Sequence, residues 1–135
     1  MHDTKIGIIV RTDLETWQKL NVTAFLSSGI AANAPESIGE QYEDGSENTY
    51  LSMFAQPVFV YMASTEELKR TRARALSREV RLVLYTKDMF STGNDADNRA
   101  VVKVVAEENL DIVGLSLRAD RKIFDKIVNG LKLHS

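Results

Sequence analysis

At 135 residues the chain is long enough to bury a core and short enough to be read as one domain, residues 1–135. Its 44% hydrophobic and 27% charged residues suit a soluble globular protein, and no apolar run is long enough to span a bilayer, so a membrane partner is not expected. The absence of cysteine excludes disulfides and thiolate metal sites and suits a cytoplasmic location, and the net charge of −2 disfavours tRNA as a partner unless a local basic patch exists.

The first residues have no basic stretch followed by an apolar core and cleavage site, so no signal peptide is expected. Lys5 to Val10 reads as a strand apolar on both faces, the mark of a central strand in an α/β sheet. It runs into Arg11-Thr12-Asp13-Leu14. The crevice beyond the carboxyl ends of central strands is the usual place for a site in such sheets, which makes Arg11, Thr12 and Asp13 candidates. Val22, Phe25, Leu26, Gly29 and Ile30 share one helical stripe that Leu14, Trp17 and Leu20 do not join. This predicts an irregular turn over 14–20, an N-cap at Asn21 and a helix ending near Asn33, ahead of Pro35.

Asp44-Gly45-Ser46, between Gln41-Tyr42-Glu43 and Asn48-Thr49-Tyr50, predicts a hairpin. Pro57 opens a second strand, Val58 to Met62. Ser64 or Thr65 caps a helix running to about Arg78 and burying Leu68, Ala75 and Leu76, with Glu66 and Glu67 in its first turn. A third strand, Val80 to Tyr85, ends in Thr86-Lys87-Asp88, and Met89 to Gly93 is read as a loop. Asn94 to Ala106 suits a helix capped by Asp95 or Asp97 that buries Ala100, Val101 and Val104. Its four valines suit a strand as well, and a short helix giving way to extended chain is the reading favoured. Leu110 to Leu117 predicts a fourth strand. Asp120 caps a last helix with Ile123, Phe124, Ile127 and Val128 on one face, Gly130 stands at its C-cap, and Leu131-Lys132-Leu133 docks back on the sheet. Alternation of this kind predicts an α/β fold: a three-layer α/β/α sandwich around a small mixed β-sheet.

Polar residues gather at three strand ends: Arg11-Thr12-Asp13, Thr86-Lys87-Asp88 and Ser116 to Arg118. Asp13 and Asp88 could share a crevice with Lys87 or Thr92, where a carboxylate near a hydroxyl and a cation can orient water. The same aspartates also suit turns and caps. Arg70, Arg74 and Arg78 follow Glu66 at i, i+4 spacing, a stripe able to meet phosphates or to face solvent. Trp17, the only tryptophan, can pack or stack on a ligand. His2 and His134 are terminal. No Walker motif, dinucleotide fingerprint, nucleophile elbow or metal-ligand spacing is present, so neither cofactor nor metal is expected.

These stretches resemble peptidyl-tRNA hydrolase II, which opens on an apolar strand and Arg-Thr-Asp-Leu, as Arg11 to Leu14 do here. Gln56 to Val60 with Glu66-Glu67-Leu68, Asp88 with Thr92 four residues on, Ile112 to Leu115, and Gly130 to Leu133 match later parts of that family in order. A closer resemblance is to an uncharacterised bacterial family, domain of unknown function 2000, through Trp17 to Val22, Gln56-Pro57-Val58, and Tyr85-Thr86-Lys87-Asp88 with Thr92-Gly93. That family is similar in fold to the hydrolase and has no established activity.

The hydrolase's Gly-Lys-Gly-Lys start to its first helix is replaced by Trp17 to Asn21, with Lys19 nearest the family's lysine, and Ser27-Ser28 stand where it has Ser-His. The resemblance implies a homodimer. Two functions follow. One is a small-ligand-binding module or homodimeric protein without the full hydrolase constellation. The alternative is a hydrolase of an ester-like bond such as that of peptidyl-tRNA. In it Asp88, Thr92, Lys19 and Asp13 would be catalytic, and Arg11, Thr12, Trp17 and Lys87 would bind substrate.

Overall fold

The structure, a computed structural model, describes residues 3–135; His2 lies outside them. In chain order the elements are β1 (Thr4–Arg11), α1 (Thr16–Asn33), β2 (Tyr42–Glu43), β3 (Thr49–Tyr50), β4 (Val58–Ala63), α2 (Thr65–Ser77), β5 (Val83–Thr86), α3 (Asp95–Lys103), β6 (Ile112–Asp120), α4 (Arg121–Ile127) and β7 (Lys132–Leu133). Five strands form a mixed sheet in the order β5-β6-β1-β4-β7, and β2 pairs with β3 in the hairpin.

β1 is parallel to β4 and antiparallel to β6, which is in turn antiparallel to β5. β1 and β5 therefore point the same way, and their carboxyl ends share an edge of the sheet. β6 runs against them, pairing Asp120 with Thr4. The polar residues Ser116 and Arg118 are thus not at the edge that holds Arg11 and Thr86. Ser116 is buried within the strand, its hydroxyl donating to the Leu26 carbonyl at 2.9 Å.

Because successive strand residues face opposite sides, β1 feeds two cores. Ile8 and Val10 pack with Val22 and Leu26 of α1, while Ile9 packs with Leu68 and Ala75 of α2 and Phe124 and Ile127 of α4. This is the three-layer sandwich that the alternation predicts. Gly7 belongs to the second face: a Cβ there would stand 2.6 Å from the Phe124 ring. At Gly114 a Cβ would lie 2.7 Å from Val22 and 2.9 Å from Leu26, so the absent side chain lets α1 lie close on β6.

Several boundaries differ from the expectations. α1 begins at Thr16, not after Asn21. Gln18 folds back to accept from the backbone amide of Glu15 at 2.9 Å, which moves the N-cap from Asn21 to Glu15, six residues earlier. Val22, Leu26 and Ile30 form its buried stripe, and Trp17 and Leu20 are exposed. Leu76 is half exposed, because one residue past buried Ala75 the helix has turned about 100°. The third strand starts at Val83, and Lys87–Ser91 is a 3-10 helix instead of an irregular loop. Asn94, not Asp95 or Asp97, caps α3, its side chain accepting from the Asp97 amide at 2.8 Å. Ala100 and Val104 are exposed, and the chain beyond α3 forms another 3-10 helix, Glu107–Asn109, instead of extended backbone. β6 continues to Asp120, whose side chain makes no capping bond to α4. Gly130 has φ 91°, a conformation open to glycine, and the tail after it pairs with β4 as β7.

Candidate functional site

The strand ends carry a cluster of charges around Arg11. Its side chain is 8% exposed. Nε donates to Asp13 Oδ1 at 2.7 Å, and Nη1 donates to the Asp111 carboxylate and, at 3.1 Å, to the Ile112 carbonyl. Lys87 joins through its backbone amide, which donates to the Asp111 carbonyl at 2.9 Å. Burial opposes the charge on Arg11, but its bonds to Asp13 and Asp111 outweigh it and its pKa is raised. The bond from Arg11 holds the Asp13 carboxyl below its usual range, and the nearby Lys87 charge adds to this. A carboxylate so held is a weak base. Thr12 is exposed and is tied to β4 by its amide on the Ala63 carbonyl at 3.0 Å.

The other predicted catalytic residues make no hydrogen bond or ion pair to this cluster. Asp88 is exposed, and its carboxylate has no hydrogen bond or ion pair among the described residues. Lys19 Nζ lies 3.1 Å from His134 Nε2, in the tail that pairs with β4. Thr92 follows β5, the outer strand on the other side of the sheet from β7. Its hydroxyl is taken up by the Met89 carbonyl at 2.9 Å and by the Asn98 side chain. No polar contact joins any two of Asp13, Lys19, Asp88 and Thr92. Among the described residues no three or more His, Asp or Glu side chains converge as metal ligands would.

What Thr92 does border is a cleft of about 890 Å³ between α1, β5, the 3-10 helix after it and α3. That volume lies within the roughly 300–1,000 Å³ usual for small-molecule sites. One wall is a chain of four rings. Trp17 meets Phe90 edge-on at 5.9 Å between centroids, Phe90 meets Tyr85 at 5.2 Å, and Tyr85 meets Phe25 edge-on at 5.7 Å. Tyr85 is 4% exposed as a residue; its hydroxyl is not fully buried and has no protein hydrogen-bond partner among the described residues. Burial raises its pKa, so it stays a donor at neutral pH. Asn98, Arg99 and Lys103 of α3 stand opposite.

Of the predicted residues the cleft takes Trp17 and Thr92, while Arg11, Asp13 and Lys87 form the charged cluster. Tyr85, Phe90, Phe25, Asn98 and Asp111 were not anticipated as site residues. A signal for Phe25 was present: with α1 starting at Thr16, Trp17, Asn21, Phe25 and Gly29 stand at i, i+4 spacing as a second stripe beside the core one.

Fold and site together define a three-layer α/β protein with an aromatic cleft beyond one edge strand of its sheet. The chain belongs to the family described as protein of unknown function (DUF2000), which it matches over residues 4–135. Among solved structures it is similar to a protein of unknown function from Agrobacterium tumefaciens strain C58. The two are 50% identical, with all of each chain covered and a TM-score of 0.97. No curated protein matches the sequence.

Proposed function

We propose that this protein is a small-molecule-binding module on a fold of the peptidyl-tRNA hydrolase II type, and that its ligand occupies the aromatic cleft. The observation that carries this reading is the wall of four linked rings beside a ligand-sized space, one of them Tyr85, whose hydroxyl has no protein partner among the described residues. The rings offer apolar area, and the hydroxyl offers direction. The likeness to the hydrolase rests on the Arg-Thr-Asp-Leu and Asp-x-x-x-Thr stretches. Lys19 on His134, Asp13 on Arg11 and Asp88 in solvent speak for a module without the hydrolase's catalytic arrangement. So does the use of Arg74, which donates to the Asn129 carbonyl at 2.7 Å, on docking α2 to the end of α4.

Trp17 is the only tryptophan and stands on the cleft wall, so its emission reports occupancy directly. Titration with a panel of mono- and bicyclic aromatic compounds is expected to give a saturable change for at least one. Val102→Arg, which fills the cleft from α3, should weaken that binding about tenfold or more while leaving the circular dichroism unchanged. A flat response across the panel would remove the cleft as a binding site. The hydrolase alternative is favoured by Thr92 on the cleft border. It predicts peptidyl-tRNA turnover by the wild type that is lost in Asp88→Ala and Thr92→Ala.

A further inference from the structure

We infer that the ligand of this cleft is a planar aromatic anion, its ring lying on the Trp17–Phe90–Tyr85–Phe25 wall and its charge facing Lys103. This rests on the cleft being the ligand site and adds the chemistry of what fills it. Asp95, Arg99 and Lys103 stand at i, i+4 spacing on α3, and all three line the cleft. Arg99 is ion-paired with Asp95, so those two charges cancel. Lys103 has no ion-pair partner among the described residues, which leaves the rim positive on a chain whose net charge is −2.

The hydrogen-bonding inventory points the same way. An ammonium group only donates, and a protonated tyrosine hydroxyl that lacks an acceptor seeks one. Ser28 and Thr92, by contrast, already place their hydroxyls on the Phe25 and Met89 carbonyls. The Asn21 amide, also open, can donate or accept, so Lys103 and the Tyr85 hydroxyl are the open groups that call for an acceptor beside the aromatic faces. A carboxylate, sulfonate or phenolate on a flat ring supplies the acceptors, and the ring supplies the apolar surface. A cationic or purely aliphatic ligand would offer neither donor an acceptor and leave both to water.

The test compares two fluorescent probes that share their rings: 1-anilinonaphthalene-8-sulfonate, an anion, and N-phenyl-1-naphthylamine, its neutral counterpart. The anion is expected to bind the folded wild type about tenfold more tightly. Lys103→Glu should weaken the anion about tenfold and leave the neutral probe unchanged, and raising the salt should weaken only the anion. Tyr85→Phe, which keeps the ring, should weaken the anion about threefold or more. Lys103 is exposed, so its replacement leaves the core intact. Equal binding of both probes, with no effect of Lys103→Glu, would overturn the inference and leave the cleft standing as a binding site. Failure of both probes to bind would overturn the cleft as well.

Discussion

Arg11 sits among three acceptors, two of them carboxylates that reach water: the Asp13 and Asp111 side chains are 64% and 47% exposed. Removing the guanidinium therefore strands no buried charge, because both partners can rehydrate. The Ile112 carbonyl, in contrast, loses its bond from Arg11. Arg11→Met is expected to cost about 1–3 kcal/mol in urea unfolding, less than breaking a fully buried pair. Arg11→Lys should recover less than half of this, since an ammonium cannot serve all three acceptors in a planar fork. Asp13 has a folded pKa below its unfolded one, so its contribution is complete above the ordinary carboxylate range and is lost as pH falls through the folded value. Asp13→Asn should accordingly flatten the acid limb of stability below about pH 4. Arg11, with its raised pKa, keeps its charge throughout that window.

Asp44 shows the same sign in a smaller structure. Its carboxylate accepts from the Tyr50 hydroxyl at 2.8 Å and from the Asn48 and Ser46 amides at 3.0 and 2.8 Å, and these bonds pull its pKa down to about 2. Cross-strand contacts between Tyr42 and Tyr50 in NMR spectra are expected to persist through pH 4 and fade only as pH approaches 2.

At the scale of elements, the helices are placed by caps and by close contact. Asn94 accepts from the Asp97 amide, and α3 has no fully buried residue to hold it otherwise. Asn94→Ala should cost about 1 kcal/mol. It should also weaken cleft binding, because the far wall loses its anchor; thermal unfolding and the Trp17 titration check the two effects separately. α1 is held differently, by Val22 and Leu26 resting on Gly114. Gly114→Ala places a methyl where both side chains and the Ile9 carbonyl already stand. An overpacking cost of about 1–3 kcal/mol is expected in chemical denaturation. The caps at Ser64 and the Pro57 strand start were legible locally, since each depends on neighbours in sequence. The start of α1 was not, because Trp17 and Leu20 break the buried stripe. They are helical but face the cleft and solvent, so a search for one apolar face passes over them.

For the whole molecule, stability should be graded outward from the two central strands. β1 and β6 are covered on both faces, whereas α3 and the 3-10 turn after it are largely exposed. Native-state hydrogen exchange is expected to find the amides of Ile6 to Val10 and Val113 to Leu117 slowest, at the global unfolding limit. Those of 95–109 should open first, with a smaller free energy. Ligand in the cleft should slow the second group and leave the first unchanged.

The sequence by itself determined the layers. An apolar run without alternation needs cover on both sides, and helices between strands supply it, so β1 could be recognised as central and the sandwich anticipated from period alone. The hairpin at Asp44 was an equally local matter, whereas the tail after Gly130 docks by pairing Leu133 with Tyr61, far back in the chain. The tertiary structure alone decided the direction of β6, and that choice carried Ser116 and Arg118 away from the strand ends while bringing Asp111 to Arg11 across a hundred residues of chain. It also assembled the ring wall from α1, β5 and the turn that follows. Propensity and capping act within a few residues, whereas pairing and packing join positions that share no local pattern. For that reason the fold could be read from the chain, and the cleft could be seen only once the chain was folded.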